Sequence, residues 1–493
     1  LDPSKDNQAY DMLLRTKFNA YELNMDTLAL QNMVDELDLI IKKDSTFSDA
    51  LATRAFSRFL LFNGKQIKSR PDLKESQEYY DLILKDANSS LRYDPNNFVA
   101  TSIYPFINLL KLSLTSSSTE IIILGRKVLI GVNQMIELAP NHYLSQFIKG
   151  MYHQLRAYSG LINSKDDYSE AVFYLTKSNN QTKNAIDNNI ADPMVKMIFE
   201  RGTWWLAELN RRYEYFSKLV ILNNQLIDLH GNDYNSKKLK KTLRRKGYAL
   251  INMGYFEKAI DNYIKLNEIS GDDIFHDNLY SFYSITKLAK SYICLNEYKI
   301  GLDILMENPP ANFYKNWSES QSYKSHEYEL YLGEAYIGLG DIDKSNYHLE
   351  KSISCIQNRM NYYNNKGPKF KYSGTTTEEL VKELVQYSLI PKSILALNKS
   401  IFENDKDVRV LISEIMADID KFGIPDSFTY FKILSYLTKV HQNISDNVNF
   451  KKTLDKAIEV KANIAEKLNE SDREVFNNNI PSDMRLKSLF VVN

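Results

Sequence analysis

Residues 243–266 read LRRKGYALINMGYFEKAIDNYIKL, and the spacing within them decides the fold. Leu243, Gly247 and Leu250, then Phe256, Ala259, Tyr263 and Leu266 beyond a Met253-Gly254-Tyr255 turn, fall at the three- and four-residue intervals of two amphipathic helices. Gly247 and Ala259 lie where two antiparallel helices have to touch, because only the smallest side chains let backbones approach closely. The pattern returns at Leu288, Ala289, Tyr292, Tyr298, Gly301 and Leu305, with Pro309-Pro310 stopping the second helix. It returns again at Leu332, Gly333, Tyr336, Gly340, Ile342, Ser345 and Leu349. The equivalent small residues Gly247, Ala289 and Gly333 are 42 and 44 residues apart, so the chain is a series of helical hairpins.

Working outward, the hairpins become more degenerate. Leu138-Ala139-Pro140-Asn141 ends a helix, Gly150 occupies the next contact position, and Tyr168, Ala171, Leu175 and Ser178 mark its partner helix. Leu91-Arg92-Tyr93-Asp94-Pro95-Asn96 reads as another ending, and Asp44, Ala52 and Ala55 as an ending followed by a new first helix. Roughly six to eight units are expected, with divergent outer ones. The stretch from Ile121 to Leu138 opens like a strand, but Val128, Val132 and Met135 continue a helical period, with Ser117 and Glu120 as a capping box. The expected organisation is degenerate repeats over 1–236, well-formed repeats over 237–357, a linker loop over 358–377 and a C-terminal helical block over 378–493. In that block Thr376-Thr377-Glu378-Glu379 starts a helix, and Leu454, Ala457, Ile458, Ala465 and Leu468 form an apolar stripe.

Composition narrows the function. In 493 residues, 43% are hydrophobic and 25% charged, ordinary values for a packed core, while 17 Gly and 12 Pro are little punctuation for a loop-rich enzyme or a β-sandwich. Lys plus Arg equals Asp plus Glu at 62 each, so bulk charge recommends neither nucleic acid nor an anionic membrane as partner. Cys294 and Cys355 lack metal-ligand or disulfide-scaffold spacing and read as core thiols. No run reaches the ~18 apolar residues of a membrane span, and Leu1-Asp2-Pro3 opens no leader-like pattern, which suits a soluble piece of something larger.

The hairpin offsets resemble the tetratricopeptide repeat family, most specifically over Gly247 to Leu266 and Leu332 to Leu349. The resemblance implies an all-α fold of tetratricopeptide-like hairpins stacked into a right-handed superhelix, an α-solenoid that binds proteins or peptides. Over about 60 residues, Ala9-Tyr10-Asp11-Met12-Leu13-Leu14-Arg15, Lys43-Asp44 and Phe47 to Ala52 are similar to the opening of tetratricopeptide sensor regions in bacterial membrane-anchored winged-helix regulators, nucleotide cyclases and Ser/Thr kinases. Ser471-Asp472-Arg473-Glu474-Val475-Phe476, with Pro481 and Arg485, is similar to the closing segment of such arrays. This implies a regulatory region with a fused or associated effector domain, the extracytoplasmic face of a membrane being favoured over the cytoplasm.

Catalytic patterns are not found. Asn63-Gly64-Lys65-Gln66 lacks the flanking residues of a phosphate loop, and no two of the seven His residues have the i, i+4 spacing that lets one helix hold zinc. No GxSxG elbow occurs, and Glu378 with Glu383 reads as a solvated face. The expectation is a non-enzyme with no cofactor and no metal site. The basic run from Lys237 to Lys246 reads as a solvated helix face with Leu239 and Leu243 inward, although it could also attract phosphate or an acidic peptide. Trp204 and Trp205 cannot both face one core.

In stacked hairpins the first helix of each unit lines the inner face. Side chains one position after the buried small residue, or three before it, then point into the groove. That rule selects Arg244 and Tyr248, Thr286 and Lys290, and Leu330 and Glu334, with Asn252 one turn beyond Tyr248. Such polar and aromatic side chains suit a peptide backbone or terminal carboxylate. Two alternatives stay open: a glycan- or small-molecule-capturing helical protein, faintly suggested by Ala55-Phe56 and Tyr79-Tyr80-Asp81-Leu82, and a free-standing intracellular peptide receptor or scaffold.

Overall fold

Helical periodicity over so much of the chain leaves little for other structure, and the computed structural model is helical almost throughout. It describes residues 6–22, 27–69, 73–114, 118–159, 164–188, 193–230, 237–270, 278–310, 325–367, 371–372, 375–402, 405–424 and 426–479. Ser117, Pro481 and Arg485 lie outside the described residues. Two compact units divide the chain, 1–209 and 210–493.

The first unit contains α1 (Asn7–Glu22), α2 (Thr27–Lys43), α3 (Ser48–Ser69), α4 (Leu73–Tyr93), α5 (Phe98–Leu114), α6 (Ser118–Leu138), α7 (Tyr143–Ser159), α8 (Ser164–Asp187) and most of α9 (Pro193–Arg212). Hairpins α3–α4, α5–α6 and α7–α8 stack so that α3, α5 and α7 also pack on one another. The expected endings are present as one turn used twice: Asp44 and Asp94 each accept a bond from the backbone N–H two residues on, at 3.0 Å. The chain then re-enters a helix at Phe47 and Asn97, whose N–H groups bond the carbonyls of Asp44 and Asp94. Gly150 meets α8 as expected, since a Cβ there would lie 2.7 Å from Leu175 Cγ. Pro105, inside α5, is accommodated by Gly131 of α6, where a Cβ would lie 2.9 Å from its ring.

The second unit contains α10 (Phe216–His230), α11 (Lys237–Met253), α12 (Phe256–Glu268), α13 (Asn278–Cys294), α14 (Tyr298–Glu307), α15 (Ser325–Gly338) and α16 (Ile342–Lys366). A two-stranded hairpin follows, β1 (Lys371–Tyr372) antiparallel to β2 (Thr375–Thr376), with Lys371 opposite Thr376. The unit ends with α17 (Thr377–Phe402), α18 (Asp405–Phe422), α19 (Ser427–Asn443), α20 (Asn447–Glu466) and α21 (Glu470–Asn479). One turn geometry recurs five times. Glu214, Gly254, Asn296, Gly340 and Ser445 have φ of +61°, +84°, +66°, +81° and +55°, and each following N–H bonds the carbonyl four residues before the turn residue. The small-residue contacts fall where the sequence places them: a Cβ on Gly247 would lie 2.4 Å from the Tyr263 ring, and on Gly333, 2.8 Å from Leu349 Cγ.

Two expectations are corrected. The stretch 358–377, expected to be a linker loop, is helix as far as Lys366, because Met360 and Tyr363 pack on Leu380, Val381 and Leu384 of α17. The expected stripe on α20 is rotated: Ile458 is 43% exposed, and the buried line is Ala457, Val460, Ile464 and Leu468, which keeps the 3.6-residue period more closely. The helix start at Thr376 forms a reciprocal capping box, Thr376 N–H to Glu379 Oε2 at 2.8 Å and Glu379 N–H to Thr376 Oγ1 at 3.2 Å.

Gly247→Ala should destabilise the protein by about 1–3 kcal/mol through overpacking against Tyr263. Gly340→Ala, with no atom within 4 Å of the new Cβ, should lose about 1–2 kcal/mol from backbone strain alone. Urea titration of both variants checks the difference.

Candidate binding surface

The residues selected from the sequence lie on α11, α13 and α15, which pack on one another in turn, and they fall in two environments. Arg244 and Tyr248 are partly exposed, whereas Asn252, Thr286, Lys290, Leu330 and Glu334 are buried. The Arg244 guanidinium stands 5.6 Å from the Tyr283 ring, and the Tyr248 ring 5.7 Å from Phe216. Asn252 and Thr286 satisfy their own helices, donating to the carbonyls of Tyr248 and Phe282. Leu330 belongs to the core. Lys290 and Glu334 form a buried ion pair, with the Lys290 ammonium 5.2 Å from the Tyr331 ring.

Sequence reasoning missed the partners that join these residues. Lys287 Nζ donates to Glu327 Oε1 at 2.8 Å and to the Tyr331 hydroxyl at 2.6 Å, and sits 5.4 Å from the Tyr283 ring. Tyr283, Lys287 and Lys290 on α13 are the 44-residue equivalents of Glu327, Tyr331 and Glu334 on α15. Both triplets have i, i+4, i+7 spacing, so each forms one helix face, and the repeat sets the faces side by side as a charge ladder. That alignment was legible in the sequence, but attention to one or two positions per hairpin passed over it.

The ladder is electrostatically tuned. Burial disfavours the Lys290 ammonium, yet the Glu334 carboxylate outweighs it and raises the pKa. Lys287 is raised in the same way against burial, chiefly by Glu327. Burial would raise the Glu327 carboxyl, but Lys287 and the charge of His326 hold it below its ordinary value. Lys432 of α19 is lowered by burial and by the charge of Lys290, while Cys294, Glu334 and Asp426 act the other way.

The last helices close onto the first ones of this unit. Glu214 accepts from Ser427 N–H at 2.5 Å and pairs with Lys467 Nζ at 2.8 Å. The Ser217 hydroxyl accepts from Asn469 N–H at 3.2 Å. The Tyr255 hydroxyl donates to Asp472 at 2.7 Å, and burial together with that bond pushes its pKa up to about 12. Asn479 donates to the Gly254 carbonyl. Phe216, Phe428 and Phe476 stack in a chain with centroids 4.8 and 5.7 Å apart.

Other expectations are placed as follows. Leu239 and Leu243 point inward, but the basic run is not a solvated face throughout, because Lys240 and Arg245 are 4% and 6% exposed and both have partners. Asn63 to Gln66 belong to the final turns of α3. Trp204 and Trp205 are both partly buried and meet edge-on at 4.5 Å. In the first unit Arg54 forks onto Asp86 at 2.9 and 2.6 Å, joined by Arg58 at 2.6 Å. Cys294 is buried and Cys355 partly so, both as free thiols. Among the described residues no group of three or more His, Cys, Asp or Glu side chains could hold a metal ion, and no helix is long and apolar enough to cross a membrane.

Repeated hairpins, small-residue contacts and a recurrent turn define an all-α, tetratricopeptide-like repeat protein. No family model matches the chain. No curated protein matches it either. Similar solved structures include a kinesin light chain of Podospora anserina with nearly identical TPR-like repeats, 13% identical over 45% of this chain and 94% of that one, TM-score 0.32. A signal transduction ATPase with numerous domains and a tetratricopeptide repeat sensor, from Pyrococcus horikoshii, is 12% identical over 79% and 53%, TM-score 0.36. Yeast Tom70 is 9% identical over 98% and 97%, TM-score 0.33. At these values the fold assignment rests on the chain's own geometry.

Glu334→Gln should cost about 3–5 kcal/mol by leaving Lys290 buried without its counter-charge, whereas Lys290→Met with Glu334→Leu should cost far less. A thermal and urea double-mutant comparison checks this. Glu327, with a lowered folded pKa, contributes stability above its unfolded value of 4.5 that is lost as pH falls through the folded value. Glu327→Gln should therefore flatten the acid side of the stability–pH curve below that pH.

Proposed function

We propose that this chain is a protein- or peptide-recognition module, the sensory or regulatory region of a larger bacterial signalling protein with a fused or associated effector. The observation that carries the reading is the row that consecutive hairpins align in register, Arg244 and Tyr248 partly exposed and Lys287, Lys290, Tyr331 and Glu334 buried beside them. Paired buried charges rarely stabilise a helix seam more than well-packed hydrophobic residues, so the ladder adds pattern more than stability. Ordered cations and aromatic rings with fixed partners instead give specificity toward a polar peptide. The signalling setting is supported by the N-terminal resemblance over Ala9 to Arg15 and Phe47 to Ala52. Work by population shift suits such an array, since a ligand on the inner face favours one arrangement of hairpins over another.

A peptide-array or pull-down screen tests the reading, comparing wild type with an Arg244→Glu/Lys432→Gln variant shown by circular dichroism to be folded. Lys290→Glu is avoided because it would set two carboxylates against each other at Glu334. Binding reduced at least about tenfold in the variant supports recognition at this face. Equal binding by both proteins, or binding of glycans rather than peptides, contradicts it.

A further inference from the structure

The five recurrent turns of the second unit require a left-handed residue, and four of them use Gly254, Asn296, Gly340 and Ser445. These are residues of small or short polar side chain. Glu214 is the exception. A glutamate at φ +61° carries a backbone cost of about 1–2 kcal/mol that glycine would avoid. It is also only 6% exposed, so its carboxylate has left water as well. Two unfavourable features at one residue call for an offsetting contact, and that contact is long-range: one carboxylate oxygen holds the first N–H of α19, the other holds Lys467 at the end of α20. These partners are 213 and 253 residues away in sequence.

We propose that Glu214 is a latch that fastens the C-terminal helices onto the first helices of this unit, and that its release frees the Phe216–Tyr248 corner on which α19 begins. Glu214 is the charged member of a wider set of contacts. Around it, α19–α21 are held by Phe428 against Phe216, with Phe476 on Phe428, by Asp472 on Tyr255, and by Asn479 on Gly254. Gly254 lies directly under α21, where a Cβ would stand 3.1 Å from Asn479 Cβ. With α19 fastened, the Phe428 ring lies 4.8 Å from Phe216, whose ring is 5.7 Å from that of Tyr248. An incoming segment competes with α19 for that corner, so opening and binding are coupled. That consequence for a partner rests on the recognition reading above, whereas the latch does not.

Amide hydrogen exchange on the full chain tests the latch without any partner. Glu214→Gly relaxes the turn but removes the carboxylate. Exchange over 427–432 and 466–479 should rise roughly tenfold or more relative to α13–α16, the loss expected from two charge-assisted bonds. Glu214→Gln, which keeps the side-chain shape and an acceptor for Ser427, should show a smaller rise. Asn296→Gly, at the equivalent turn, should leave exchange in those segments unchanged. Unchanged or slower exchange in Glu214→Gly, with a higher melting temperature, would mean that Glu214 is merely a tolerated turn residue and would overturn the proposal. A rise in exchange with no peptide binding in any protein would keep the latch and sink the recognition reading.

Discussion

Everything in this molecule depends on how closely two helices can approach within a hairpin. At Gly150, Gly247 and Gly333 the partner helix presses a Leu or Tyr side chain into the space a Cβ would fill. Ala289, with no exposed surface, does the same at the third position. This close approach fixes the tilt of each hairpin, and the left-handed turn after the first helix fixes its direction of return. Repetition of both then sets equivalent faces of successive first helices side by side. The ladder between α13 and α15 is a consequence of that register: a 44-residue repeat delivers Lys287 to Tyr331 and Lys290 to Glu334.

The ladder differs from the apolar seams of the same unit in carrying paired charges. Apolar stacking would hold α13 and α15 together at less desolvation cost, as the Leu349 and Leu305 positions do elsewhere in the same hairpins. Lysine, glutamate and tyrosine in its place give up some stability for a specific pattern of charge.

Much of this was legible from residues alone. The hairpins, their small contact residues, the turn at Gly254, the helical character of 121–138 and the helix start at Thr376 all follow from spacing and capping rules. Side-chain environment was less legible. The rule that picks inner-face positions led to Arg244 and Tyr248, which are partly exposed, but it could not show that Lys290 and Glu334 would pair and be buried. Periodicity describes the faces of one helix, whereas that pairing is set by the register between hairpins 44 residues apart. The helix over 358–366 was hidden because Asn and Tyr are weak helix formers. Tertiary packing of Tyr363 and Met360 against α17 overrides that preference. Glu214 was invisible because nothing in its local sequence marks a left-handed residue, and its partners Ser427 and Lys467 are remote.

The central claim is that the second unit holds its own C-terminal helices against its first ones. The most direct measurement is a pulsed electron-spin distance between labels at the exposed positions Glu257 on α12 and Glu474 on α21, in a Cys294→Ser/Cys355→Ser background. The account gives one short, narrow distance distribution for the full chain, which broadens and lengthens when Glu214→Gly is introduced. A broad, long distribution in the unaltered protein would contradict it.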